Sequence, residues 1–229
     1  MKILKFPLLA LLALAAFWSA CDVESSADVN QARIYQDYEL FYNSNTDKTW
    51  VIARYRFGGP TGSLLQLADP ASVTFNGEVV PFSPIFGGHQ REFPGRVDGG
   101  TFVYTNTIGE VYTNSVPVYE SIQFPTDLDT LSRSSASSIT WEGTALKENQ
   151  LVGLFIGSWT FGDDALFIQT GAGETDIVMG TDQLGNLPTG TSTLFMDRST
   201  DVPLTEGTEE GGRIRGKFRA LNKQITVVN

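Results

Sequence analysis

The chain offers little material for catalysis. It has one histidine, His89, and one cysteine, Cys21. A nucleophile–histidine triad would have to use His89, which sits in Gly87-Gly88-His89-Gln90-Arg91. No Gly-x-Ser-x-Gly elbow is present to go with it. The same counts exclude histidine-rich and cysteine-based metal sites. Carboxylate chemistry remains open in principle, because a glycosidase needs two acids about 5–10 Å apart. Asp163-Asp164, Glu209-Glu210 and Asp127/Asp129 are the candidates by proximity, but such pairs are typical of solvated turns, and that plainer reading is adopted. Asp127-x-Asp129 also resembles part of a calcium loop. It lacks the glycine and distal glutamate of an EF-hand. Phosphate-cradling and dinucleotide motifs are absent. The expectation is no catalytic residue, no cofactor and no bound metal.

Two stretches have the chemistry of binding surfaces. The segment from Pro81 to Gly100, read as a loop, holds Phe82, Phe86, His89, Arg91, Phe93 and Arg96 among prolines and glycines. Aromatic rings beside arginine are what binding hot spots contain. Phe86, His89, Arg91 and Phe93 are the candidate ligand-binding residues. The alternative is that the phenylalanines close one end of a core and the arginines stay solvated. The second stretch is Arg213, Arg215, Lys217 and Arg219, which alternate with Ile214 and Phe218. This basic stripe would suit an anionic glycan or an acidic partner. The plainer account is an exposed edge strand whose charges discourage aggregation. Trp50 and Trp159 have the rings to stack on sugar, though burial is the commoner fate of tryptophan.

The elements that must position these groups are strands. Ile34, Tyr38, Leu40 and Tyr42 share one face at period two, with Gln36 among them, and Asp37 and Glu39 share the other. Trp50 to Phe57 repeats the pattern, with Arg54 and Arg56 opposite Ala53, Tyr55 and Phe57. Asn76-Gly77 between Val73-Thr74-Phe75 and Glu78-Val79-Val80 is the signature of a type I′ hairpin. Further strands are expected at 101–104, 116–124, 139–146, 151–156, 165–169, 176–179, 192–196, 213–220 and 225–228. Short strands at this spacing suggest an all-β sandwich. A polar stretch over 125–138, and the confinement of all seven tyrosines to Tyr35–Tyr119, divide the chain into two tandem β-sandwich domains, 30–125 and 126–229.

The first residues are of another kind. Lys2 and Lys5 precede an uncharged, Leu- and Ala-rich run from Phe6 to Trp18, too short to span a bilayer. Ser19, Ala20 and Cys21 follow. This order resembles the signal peptide and lipobox of bacterial lipoproteins, with Trp18 where that family usually has Leu. The resemblance implies removal of residues 1–20 and acylation of Cys21, which explains why the cysteine stands alone. The rival is a secreted protein cut by the general signal peptidase, for which Ala13-Leu14-Ala15 is the better match. Residues 21–29 read as a polar, lipidated tether. Trp141-Glu142-Gly143 through the last hairpin resembles, in strand rhythm, Ig-like modules of Bacteroidota surface lipoproteins. Removing Lys2 and Lys5 with the leader takes the 16 basic residues to 14 against 26 acidic ones, so the formal charge of −10 becomes −12. Such a surface repels nucleic acid.

Together these features lead to a protein of the cell envelope, held at a membrane, expected to be the outer one, by a lipid on Cys21. Its role is expected to be non-enzymatic binding or scaffolding, with a glycan or another envelope protein as partner. The alternatives are a carboxylate-dependent glycan hydrolase and a structural component of envelope assembly.

Overall fold

The computed structural model describes residues 23–157 and 162–229. Cys21, Trp18 and Trp159 lie outside them. The chain is an all-β sandwich. In chain order its strands are β1 (Glu24–Ser25), β2 (Ile34–Asn43), β3 (Lys48–Phe57), β4 (Ser63–Gln66), β5 (Ser72–Phe75), β6 (Glu78–Val79), β7 (Phe82–Ser83), β8 (Gly88–Pro94), β9 (Thr101–Thr105), β10 (Val111–Ser115), β11 (Thr130–Ser132), β12 (Ser137–Thr140), β13 (Gln150–Ile156), β14 (Ala165–Gln169), β15 (Asp176–Met179), β16 (Gly190–Pro203), β17 (Gly212–Arg219) and β18 (Lys223–Val228). A single helical turn, α1 (Thr181–Leu184), precedes β16. No helix among the described residues is long and apolar enough to cross a membrane.

One large sheet runs in the order β1-β4-β3-β2-β17-β16-β13-β14, with β7, β8, β11 and β18 attached beside it. Two smaller sheets cover its inner face, β10-β9-β5-β6 over the first half and β12-β15 over the second. Period-two alternation explains which side chains go inward. On β2, Ile34, Gln36, Tyr38 and Leu40 are buried, as are Val51, Ala53 and Tyr55 on β3. They meet the small sheet ring to ring: Tyr38 stacks on Phe102 at 4.7 Å and Tyr55 packs at a tilt against Tyr104 at 4.6 Å. In the second half Val152, Leu154, Ile156, Leu194 and Met196 lie under Ile139, Ile177 and Met179.

The two halves share hydrogen bonds. β17 pairs in parallel with β2 over eight positions, from Gly212↔Gln36 to Arg219↔Asn43. The expected boundary near residue 125 therefore falls in a connection, not in a break of the sheet. The connection itself differs from expectation. Residues 116–124 were expected to be a strand, yet only Gln123 forms a bridge, to Glu142. Pro117 has no N–H to give a ladder. Instead the segment wedges Tyr119, Ile122 and Phe124 into the core. Gly216 on β17 makes room for it, since a Cβ there would lie 2.8 Å from Tyr119 and 2.9 Å from the Pro117 carbonyl.

Two other expectations are corrected. The Pro81–Gly100 loop contains β7 and β8, and β8 pairs with β3 from Ala53↔His89 to Lys48↔Pro94. Prolines mark the margins of this hairpin and do not break its interior. The described part of the 21–29 tether is not free of the body. β1 pairs in parallel with β4, Glu24↔Leu65 and Ser25↔Gln66. Ser26 is fully buried and accepts a hydrogen bond from Ala68 N at 2.9 Å. The Asn76-Gly77 hairpin forms as read, with both residues at positive φ.

Candidate functional site

The four expected ligand-binding residues do not form one exposed cluster. His89, Arg91 and Phe93 share the inner side of β8, while Phe86 sits at the tip of the β7–β8 turn. His89 is only 6% exposed, packed edge-on between Tyr55 and Phe82. Its Nδ1 lies 2.9 Å from the Val80 carbonyl, which assigns the proton to Nδ1, and Nε2 has no partner. Burial pushes its pKa below the ordinary value, opposed by the Val80 hydrogen bond. A neutral, enclosed imidazole is a core group here. Arg91 pairs with Glu78, donates to the Val79 carbonyl at 2.9 Å and covers the Phe93 ring. Phe93 turns towards Phe75 in the core. Phe86 alone of the four is exposed, at 59%.

The acid pairs are dispersed. Glu210 reaches Arg33 at 3.7 Å. No group of three or more His, Cys, Asp or Glu suited to holding a metal occurs among the described residues.

The basic stripe is placed differently from expectation. β17 is an interior strand between β2 and β16, so its charges protect no edge. Each cation meets carboxylates from the neighbouring strands. Arg213 grips Asp37 with two bonds of 3.0 and 3.1 Å. Arg215 bonds Glu39 at 2.9 Å and Asp201 at 2.7 and 3.1 Å. Arg219 grips Asp197 at 2.6 and 2.8 Å, and Lys217 reaches the same group at 2.8 Å. Burial alone would raise the pKa of Asp197. The Arg219 hydrogen bonds and the two cations outweigh it and hold the carboxyl below its ordinary range. Four cations against four carboxylates leave this ladder neutral. The signal was in the sequence, as Asp37 and Glu39 stand two apart on β2 and Asp197 and Asp201 four apart on β16, each pair on one face of its strand. What the sequence lacked was the pairing.

This ladder lies on the outer face of the large sheet, with half-buried aromatic rings on both sides. On the β3 side Trp50 stacks on Phe41 at 5.6 Å and 26°. Lys217 and Arg219 sit over the other flank of Phe41, at 4.8 and 5.3 Å from its centre. On the β13 side Phe155 and Phe195 pack at 5.8 Å. They line a groove of about 390 Å³ together with Gly153, Asp164, Leu166, Asp197 and Arg219. Gly153 forms its floor, and a Cβ built there would meet nothing within 4 Å. Leu166 and Ile168 on β14 continue the apolar surface outward, with Ile168 60% exposed.

No family model and no curated protein matches the chain. Among solved structures, one concerned with host cell surface retention of a 1.5-MDa bacterial ice-binding adhesin is 12% identical, with a TM-score of 0.24, over 86% of this chain and 66% of that one. A tetra-tandem repeat from the extending region of a large adhesion protein is 9% identical, with a TM-score of 0.24, over 83% of this chain and 49% of that one. The chain thus spans less than two thirds of the length of either structure.

Proposed function

We propose that this chain is a lipid-anchored protein of the cell envelope that binds a neutral glycan, without catalysis, on the outer face of its large sheet. One observation carries the reading: aromatic rings on a solvent-facing sheet flank an ion-pair ladder that is already neutral. A stripe of free cations would select an anion. A closed ladder instead presents fixed, polarised hydrogen-bonding groups beside apolar ring faces, which complements a sugar's hydroxyls and its C–H face. The envelope location and lipid anchor rest on the leader sequence and Cys21.

The test is a glycan array probed with the mature chain and with Trp50→Ala and Gly153→Leu. Gly153→Leu is the sharper variant, because it fills the groove where space is open and replaces a strand glycine that costs roughly 0.5–1 kcal/mol. Stability should hold or rise while glycan retention falls. A folded wild-type chain that retains no glycan, or a Gly153→Leu chain that binds as well as wild type, overturns the assignment.

A further inference from the structure

The β7–β8 turn carries the most exposed apolar side chain of the described residues. Ile85 is 90% exposed and stands next to Phe86. The turn is well made, with Phe86 N donating to the Ser83 carbonyl and Gly87 N to the Pro84 carbonyl, so these side chains are held outward by a fixed backbone. The turn also leans on β4, since a Cβ on Gly87 would fall 2.7 Å from the Leu64 side chain. β4 is the strand on which the N-terminal segment docks. Glu24 lies opposite Leu65, which places Val23 beside Leu64. The segment is pinned there. Ala68 N donates to Ser26 Oγ, and Gln31 Nε2 donates to the Ser26 and Val29 carbonyls at 2.6 and 3.0 Å. Only Asp22 separates Val23 from Cys21, a reach of about 7 Å even if fully extended.

We propose that the Ile85–Phe86 turn is a second membrane contact, inserting into the bilayer that holds the acyl chains of Cys21. The proposal rests on the lipid-anchor reading. An acyl group so close to the β1–β4 edge draws that edge onto the bilayer, and the exposed apolar turn beside Leu64 is what meets it. Aromatic and aliphatic side chains of this kind partition into the interface. Arg54 and Arg56 flank the same spot, Arg56 opposite Leu64 and Arg54 against Gly88. Arg56 donates to the Gly62 carbonyl at 3.1 Å and Arg54 stands across from Asp37, yet neither has a carboxylate within ion-pair distance among the described residues, so both keep charge to offer lipid phosphates. The anchor then fixes orientation as well as location. β14 and the groove beside it stand at the far end of the strand order, about 30 Å from β4 by strand spacing.

The experiment uses the lipidated chain on phosphatidylethanolamine–phosphatidylglycerol vesicles. A polarity-sensitive fluorophore is placed on Ile85→Cys, or on Ile168→Cys as a control at the opposite end of the sheet. Acylation of Cys21 leaves the new thiol as the only one to label. The expected result is a blue-shifted emission, quenched by spin-labelled lipid, at position 85 and neither effect at 168. An acylated, vesicle-bound chain whose position-85 probe stays as wet as the control overturns this proposal alone. Absence of acyl label on the wild-type chain overturns the anchor, and this proposal with it.

Discussion

Arg198 is the residue whose loss should be felt most. It sits on the inner side of β16 with no exposed surface. Its guanidinium donates to the Thr144 carbonyl at 2.8 Å, the Ala145 carbonyl at 3.0 Å and Gln150 Oε1 at 2.6 Å, and it pairs with Glu120 at 2.7 Å. One side chain thus ties the 116–124 connection to the loop before β13. Arg198→Ala strands the part-buried Ala145 carbonyl and takes one of two donors from the Thr144 carbonyl and from Gln150 Oε1, which keep the Trp141 indole and Lys147 N. Glu120 is partly compensated, because Lys147 and Thr144 both remain at 2.5 Å. Because Glu120 stays paired at the rim, the loss is that of the stranded acceptor and of the weakened hydrogen bonds, about 1–3 kcal/mol. For a chain of this size that lowers Tm by roughly 2–12 °C. Urea unfolding is the assay, and Trp141 is a local reporter, since its indole N–H bonds the same Thr144 carbonyl at 3.2 Å. Glu120→Gln should cost clearly less, because that side chain lies at the rim. Arg198→Met restores volume without the hydrogen bonds, and should recover only part of the loss. An Arg198→Ala chain destabilised by less than about 1 kcal/mol would refute the idea that these bonds hold the connection in place.

Within the first half, Tyr38→Phe should cost about 1–3 kcal/mol, because the Tyr38 hydroxyl bonds Gln36 Oε1 at 2.8 Å and Gln36 Nε2 already lacks a partner. Tyr55→Phe loses only a 3.5 Å contact and should cost less than 1 kcal/mol; paired denaturation curves check the order. In base, Tyr38, Tyr55 and Tyr104 have pKa values pushed up by burial, and Tyr112 is raised to about 12 by burial and Glu110. The folded state holds these protons more tightly than the unfolded one, so stability should be intact below about pH 10 and fall as pH rises above it. In acid the sign reverses: Lys147 and Thr144 hold Glu120 low, and the β17 cations hold Asp197 low. Their contribution should be present above the ordinary carboxylate range and be lost as pH falls below it, which a Tm series against pH will show. Residues 30–125 expressed alone should aggregate or stay unfolded, because the cut exposes the edge of β2; a soluble fragment with cooperative unfolding would contradict this.

What the sequence made legible was local. Period two on β2, β3 and β17 gave the correct inner and outer faces, because one side of each strand is dry and the other wet. Asn76-Gly77 gave its hairpin because few dipeptides tolerate two positive φ angles in a row. The bounds of β14 and β15 were read residue for residue from their turn-rich flanks. The β8 strand was missed because Pro81, Pro84, Pro94 and the glycines around it read as a loop, although none of them interrupts Gly88–Glu92. The 116–124 segment was misread because Val116, Val118, Ile122 and Phe124 alternate as a strand would, and only Pro117 argued otherwise. His89 looked available because a histidine among glycines usually is. Its burial depends on Phe82 and Tyr55, which come from other strands.

The pairing of β2 with β17 was beyond any local signal, and it decides what the candidate site is. Read separately, Asp37 and Glu39 are a solvated acidic edge, and Arg213 to Arg219 a docking stripe for anions. The 176 positions between Asp37 and Arg213, or between Glu39 and Arg215, hide the fact that they neutralise each other. Each such pair is worth little alone at a half-exposed site. Their combined effect is to remove charge from the middle of the outer face and to lock the orientation of its guanidiniums and carboxylates. The same seam fixes the distance between the two sets of rings, because Trp50 and Phe41 belong to the first half and Phe155 and Phe195 to the second. A ligand that needs both sets therefore reads whether the halves are joined, and loosening the seam should weaken binding before it unfolds either core.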